Sequence, residues 1–152
     1  MPSIVSYRKH IDSQITRELR LPASPQGMQP LGTELATIDG ITYVSLPDGV
    51  TLPAEQPAEI SASIATVALD NVLREQIKTA SPHCKLISQR MIDKIRDLYS
   101  IDDEMYFARI GVGAANGMYV PTMDELQAMT VFGEFVESIR QWGRAERAKL
   151  GL

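Results

Sequence analysis

The chain has 152 residues, 44% hydrophobic and 22% charged, which is enough for one globular domain or for a smaller domain with an arm. Its net charge of −4 argues against general affinity for nucleic acid. One cysteine excludes an internal disulfide framework, and no apolar run approaches the ~20 residues of a membrane span. These properties predict a soluble protein that is made and folded in a cytosol.

Residues 1–32 are predicted to form an N-terminal helix followed by an arm. Apolar residues at spacings of three and four favour an amphipathic helix over residues 6–19: Ile4, Tyr7, Ile11, Ile15 and Leu19. The three prolines of residues 21–32 exclude a regular element there. Because an arm offers few side chains that pack on one another, we expect residues 1–32 to be ordered mainly by another chain.

Residues 33–60 are predicted to hold a β-hairpin and an extended segment. Two short runs, 34–38 and 41–46, flank Asp39-Gly40, which is a strong hairpin signal because both central turn positions favour positive φ. Strand alternation predicts two faces: Ile41, Tyr43 and Ser45 on one, and Thr42, Val44 and Leu46 on the other. A third short strand or an extended tail is expected at residues 50–52.

Residues 61–152 are predicted to form a helical domain. Its helices are expected at residues 66–79, 83–98, 100–110 and 121–150, and Val72 is assigned to the inward stripe of the first. Ser100 is suited to cap the third helix. The last helix is expected to organise the core through one apolar stripe: Met129, Phe132, Val136, Ile139 and Trp142.

The predicted fold class is therefore mainly α with a small β-hairpin. A C-terminal helical bundle is preceded by an extended, proline-rich arm and the hairpin. The bundle is expected to contain all four helices, because short connections favour neighbours that fold back on each other.

Residues that could carry chemistry are better explained by structural roles. His83-Cys84 supplies two adjacent side chains, whereas a structural zinc site needs about four ligands and a thiol nucleophile needs an aligned base. Residues 102–104 are acidic, as is typical of the first turn of a helix. The glycines of residues 111–117 follow a predicted helix and not a strand, so a dinucleotide-binding context is missing. We therefore expect no enzyme, no metal and no cofactor.

Several stretches of the chain resemble small proteins encoded in the tail modules of tailed bacteriophages and prophages. The resemblance covers residues 33–152, and its motifs are DGITYVSLP at 39–47, LPAEQP at 52–57, YSIDDE at 99–104, EFVE at 134–137, RQWGR at 140–144 and GL at 151–152. Such proteins are described as tail-fibre-assembly-like or as baseplate- and tail-fibre-associated.

The resemblance implies a structural component of a bacteriophage tail, at the baseplate or tail-fibre attachment region, that acts through protein–protein contacts. The alternative that it leaves open is a tail-fibre assembly chaperone that is not retained in the virion. Fibre or baseplate subunits are the implied partners, within a symmetric multi-subunit assembly and without nucleic acid. The protein would be made in the host cytoplasm and located in the virion tail.

Six residues are predicted to bind a partner. Ile4, Tyr7, Ile11 and Ile15 are the expected anchors of the arm, because another chain would have to supply their burial. Tyr43 and Val44 lie in the hairpin, which could donate a strand to another chain's sheet edge.

Overall fold

The computed structural model describes residues 1–152 and contains five helices and one four-stranded antiparallel sheet. The strands are β1 (Ser3–Tyr7), β2 (Thr33–Ile38), β3 (Ile41–Leu46) and β4 (Ala65–Val67). The helices are α1 (Ala58–Ser61), α2 (Asn71–Ala80), α3 (Pro82–Arg96), α4 (Ile101–Ala115) and α5 (Met123–Lys149). The fold is therefore mixed α and β, with more helix than strand.

The predicted hairpin is confirmed and forms one side of the sheet. β2 and β3 pair up to Ile38↔Ile41, and the turn residues Asp39 and Gly40 have φ of 50° and 77°. The strand order is β2-β3-β1-β4, so the hairpin gains two further strands from distant parts of the chain. No strand forms at residues 50–52.

The predicted helix over residues 6–19 is wrong, because the chain forms β1 and then a series of turns. β1 lies between β3 and β4, and its pairing satisfies backbone groups along both edges. Asp12 Oδ1 accepts hydrogen bonds from the backbone N–H groups of Gln14 (2.7 Å) and Ile15 (2.8 Å). This local side-chain bonding competes with helix formation.

The core is organised around the sheet. The expectation that the last helix organises it is wrong. One face of the sheet buries Val5, Tyr7, Leu19, Val44, Leu46 and Ile60. The opposite face buries Ile4, Leu35, Tyr43 and Ile77. The predicted alternation of β3 is thereby confirmed for Tyr43 against Val44 and Leu46. In α5 the predicted stripe is the less exposed side of the helix, but only Ile139 and Gly143 are fully buried.

The proline-rich arm is fixed to its own chain where it begins. Gln56 Oε1 accepts from Arg20 N (2.9 Å), and Gln56 Nε2 donates to Arg20 O (3.0 Å) and Pro53 O (3.0 Å). Leu19 beside it is buried in the core. The expectation that residues 1–32 depend on another chain is therefore wrong for β1 and for Leu19, which the sheet and its covering segments order.

The chain forms two compact units. Unit 1 consists of Met1–Leu86 and Glu146–Leu152, and unit 2 consists of Ile87–Ala145. The division falls within α3 and α5, and not at residues 32 and 60, which bound the three predicted parts of the chain. α2 packs on β2 within unit 1, so it is not a member of the predicted bundle with the later helices.

α4 begins where the sequence predicts and ends later than predicted. Ser100 Oγ accepts from Asp103 N (3.0 Å) and Asp103 Oδ2 accepts from Ser100 N (2.7 Å), so the predicted cap is confirmed. The helix continues past the predicted end at residue 110, through Gly111 and Gly113. A Cβ on Gly113 would lie 3.0 Å from Tyr119 Cβ, so the glycine permits the loop after α4 to pack against the helix.

Candidate protein-interaction surface

Four of the six predicted partner-binding residues lie in the core of unit 1. Ile4, Tyr7, Tyr43 and Val44 are buried against side chains of their own chain. Their burial is inconsistent with a role as free anchors, and the physical reason is that β1 completes the sheet within the chain. The assignment of these four side chains to a partner surface is therefore corrected.

Ile11 and Ile15, the other two, are about two-fifths exposed. They lie in one turn, where Ile11 N donates to Ile15 O (2.9 Å). The turn is closed on either side by the bridge between His10 and Thr16. The structure thus brings these two isoleucines together on the surface of unit 1, where their role in partner binding stays a prediction.

A larger apolar surface lies on α4 in unit 2. Its outer side carries a row of exposed residues, here called the α4 seam: Ile101, Met105, Ala108, Val112 and Ala115. The exposed fractions of Ile101, Met105 and Val112 are 60%, 51% and 61%. Ile110, on the opposite side of the helix, is only 5% exposed. α4 is therefore apolar on two opposite sides, of which its own chain covers one.

An aromatic cluster holds the inner side of α4 in place within unit 2. Phe107 of α4 stacks on Phe132 of α5 with ring centroids 5.0 Å apart. Tyr99, which follows α3, meets Phe132 edge-on at 4.9 Å and lies 5.7 Å from Phe135. Such aromatic pairs stabilise a fold beyond the area they bury, so the orientation of the α4 seam is fixed by this cluster.

The loop between α4 and α5, residues 116–122, adds further exposed apolar side chains next in the chain. Met118 and Val120 are almost fully exposed, as is Met123 at the start of α5. Tyr119 anchors the loop, because its hydroxyl donates to Glu125 Oε1 (2.8 Å). The loop therefore presents its apolar side chains from an ordered backbone.

Glu125 is the polar centre of this loop. Its carboxylate accepts from Thr122 N (2.9 Å), from the Tyr119 hydroxyl and from the Tyr106 hydroxyl (3.2 Å). Thr122 Oγ1 in return accepts from Glu125 N (3.2 Å), which completes a capping box at the start of α5. One carboxylate thus connects α4, the loop and α5.

These contacts shift the acid–base equilibria of the three side chains. The backbone hydrogen bond from Thr122 and the hydroxyl of Tyr119 lower the pKa of Glu125. The hydrogen bond to Glu125 raises the pKa of Tyr119, and desolvation followed by the charge of Glu125 raises the pKa of Tyr106. The cluster is therefore most favourable with an ionised carboxylate and protonated phenols, which is the state near neutral pH.

Unit 1 carries an apolar groove between α2 and the end of β2. Ile38 forms one wall and α2 supplies the other through Val72, Gln76, Thr79 and Ala80, around an open volume of about 700 Å³. The predicted place of Val72 in the inward stripe of its helix is wrong, because its side chain is largely exposed. The groove is a second surface on which an apolar partner segment could pack.

The residues weighed for chemistry occupy structural positions. Cys84 is buried in the first turn of α3, and its backbone N–H faces Ser81 Oγ at 3.5 Å. Asp103 caps α4, and Glu104 forms an ion pair with Arg96. No group of three or more His, Cys, Asp or Glu side chains lies together. None of the helices combines the length and the apolar character needed to cross a membrane.

The α4 seam was missed in the sequence although its signal is local. Ile101, Met105, Ala108, Val112 and Ala115 alternate at spacings of four and three, a pattern that fits one helix face. The predicted helix ends at residue 110, before the glycines, and therefore contains only part of this pattern.

Comparisons of the chain with protein-family models, with curated proteins and with solved structures returned no match.

Proposed function

We propose that the protein is a structural component of a bacteriophage tail, at the baseplate or tail-fibre attachment region, and that it acts through protein–protein contacts. The observation that carries the proposal is the exposed apolar surface of unit 2, formed by the α4 seam and the loop at residues 116–122. The resemblance of residues 33–152 to small phage tail-module proteins supports the choice of particle.

The physical argument concerns the outer side of α4. Single exposed apolar side chains are common on folded proteins, but a contiguous row of them marks an interaction site. A surface helix normally has one apolar stripe and a polar opposite side. α4 has apolar residues on both sides, so a partner that covers the outer one would remove it from water and stabilise the assembly.

The alternative is a tail-fibre assembly chaperone that leaves before the virion is complete. The feature that favours it is the open groove of unit 1 between Ile38 and α2, because an apolar groove beside a sheet can hold an extended segment of another chain. A chaperone would use such a groove transiently, whereas a structural subunit would keep its partner bound.

Quantitative mass spectrometry of purified virions distinguishes the two functions. A structural component is expected at a fixed copy number relative to known tail proteins. A chaperone is expected to be missing from virions and to be recovered with the tail-fibre protein from infected cells. Absence from virions together with no association with the fibre or baseplate proteins would contradict both functions.

Two matched substitutions test which surface binds the partner, the loop of unit 2 or the groove of unit 1. Val120→Glu places a charge in the unit 2 loop, and Val72→Glu places one in the unit 1 groove; both side chains are largely exposed, so the fold should tolerate either change. The structural proposal predicts that Val120→Glu reduces the copy number in virions and that Val72→Glu does not. The chaperone alternative predicts that Val72→Glu weakens fibre binding.

A further inference from the structure

The α4 seam fits a helix of a second copy of the same chain. We propose that two copies pair through α4, antiparallel and around a two-fold axis, with the α4 seam as the interface. This pairing names a second copy as the partner of the α4 seam and leaves the exposed loop at residues 116–122 for contacts with tail proteins. It can hold whether or not the protein belongs to a tail. It rests on the spacing of the seam, on the charges beside it and on the area that one helix pair can bury.

The spacing of the seam is that of a coiled coil. Its residues follow one another at intervals of four, three, four and three, which is the repeat that lets one helix insert its side chains between those of another. At 100° per residue the five positions lie within a narrow strip directly opposite the buried Ile110.

The charges beside the seam select a second copy as the partner. Asp102 and Arg109 flank it on the same side, one repeat apart, and neither forms an ion pair with another residue of the chain. In an antiparallel pair centred between Met105 and Ala108, Asp102 of each copy lies beside Arg109 of the other. The two-fold symmetry forms this pair twice, so the interface is self-complementary.

The opposite flank of the seam explains the antiparallel direction. It holds Glu104, which already pairs with Arg96, and Gly111, which has no side chain. A parallel pair would bring Arg109 towards Glu104 and leave Asp102 without a basic partner. Only the antiparallel arrangement gives both free charges an opposite charge across the interface.

The size of the contact sets the expected strength. A stable protein interface buries about 800 Å² on each partner. One pair of four-turn helices with two alanines in its seam buries less, so we expect a reversible dimer with a Kd on the order of 10 µM. The dimer should therefore form and dissociate within an accessible concentration range.

Sedimentation velocity of the full chain between about 1 and 300 µM provides the test. Wild type is expected to shift from monomer to dimer over this range. Asp102→Arg and Arg109→Asp should each weaken the dimer at least tenfold, because each places like charges across the interface. An equimolar mixture of the two variants should form a heterodimer as readily as wild type, since every arginine then meets an aspartate.

The controls change the same charges elsewhere. Asp124→Arg alters the first turn of α5 as Asp102→Arg alters that of α4, and Arg90→Asp changes an exposed arginine of α3; both should leave the dimer unchanged. Rescue in the mixture cannot result from misfolded variants. A monomer at all concentrations, a dimer insensitive to both substitutions, or a mixture without rescue would each overturn the proposal.

Discussion

Two glycines of α5 are in opposite environments. A Cβ on Gly133 would have no atom within 4 Å, whereas a Cβ on Gly143 would collide with the Met91 sulfur and would lie 3.3 Å from Met91 Cγ. Alanine in an exposed helical position is favoured over glycine by about 1 kcal/mol. We expect Gly133→Ala to stabilise the protein by roughly that amount.

Gly143→Ala is expected to be less stable than Gly133→Ala. The end of the Met91 side chain lies over Gly143 and would have to move, and this cost offsets the roughly 1 kcal/mol that alanine gains over glycine in a helix. Urea unfolding of both variants measures the difference, with Gly133→Ala as the matched control. Equal stabilisation by the two substitutions would show that Met91 does not pack against the Gly143 backbone as described.

Glu125 predicts a pH dependence of stability. Its pKa is lowered in the folded chain by the Thr122 backbone and the Tyr119 hydroxyl, so the folded state prefers the ionised form. This stabilisation is present above the ordinary glutamate pKa and is lost as pH falls through the lower folded value. The stability difference between wild type and Glu125→Gln should therefore shrink from pH 7 to pH 3.

The two tyrosines predict a second loss of stability, at high pH. Raised pKa values at Tyr119 and Tyr106 mean that the folded state holds these protons more strongly, so their contribution is full below the ordinary tyrosine pKa and is lost above it. Equilibrium unfolding at several pH values checks the predicted losses of stability at low and at high pH, with Glu134→Gln, also on α5, as a control. A difference that does not vary with pH would contradict the role of Glu125.

Local rules worked at the residue scale because their partners lie a few positions away. The Asp39-Gly40 turn needs only positive φ at two adjacent residues, and the cap at Ser100 needs only a group three residues on. Both could be predicted from sequence. The Thr122–Glu125 cap has the same local spacing and could have been predicted as well. The link from Glu125 to Tyr106 could not, because Tyr106 lies 19 residues earlier.

At the scale of elements, β1 is the clearest difference from expectation. Its partners in β3 lie far along the chain, with Val5 opposite Val44. Such pairing has no local signature, and the spacing of Ile4, Tyr7 and Ile11 by three and four residues fits a helix equally well. The stripe of α5 could be predicted, since it depends on the helical period alone, but the dominance of the sheet in the core could not.

Hydrogen exchange should confirm the position of β1. The amides of Ser3–Tyr7 that bond to β3 or β4 are expected to exchange as slowly as the most protected part of unit 1 in the free chain. The amides near Gly27, in an exposed turn, should exchange fast and act as an internal control. Fast exchange throughout β1 would contradict its pairing in the sheet and would favour a free arm.

At the scale of the whole molecule, unit 1 is built from two distant segments of the chain. Leu150 and Leu152 pack against the cluster of Ile4, Leu35, Tyr43 and Ile77. Removal of residues 150–152 deletes two partly buried leucines, so we expect a loss of about 2–4 kcal/mol in the unfolding free energy. Lys149→Ala, at the exposed end of α5, is the control and should change little.

Thermal or urea unfolding of the truncated chain measures this loss. Stability within about 0.5 kcal/mol of wild type would contradict the packing of the two leucines on the sheet.

The candidate surfaces also belong to the scale of the whole molecule. The reasoning that made anchors of Ile11 and Ile15 did the same for Ile4 and Tyr7, so it did not separate exposed from buried side chains. The groove at Ile38 could not be predicted, because α2 and β2 meet only in the folded chain.

The interrupted sequence of unit 1 has a consequence for folding order. All of unit 2 lies between the two segments of unit 1, so unit 1 must close a long loop before Glu146–Leu152 can join it. Closing an unstructured loop of that length costs several kcal/mol of chain entropy, and a folded insert lowers the cost by holding its own ends at a fixed separation. Early folding of residues 87–145 would therefore speed the completion of unit 1, and a mutation that loosens the insert would slow it without touching the sheet.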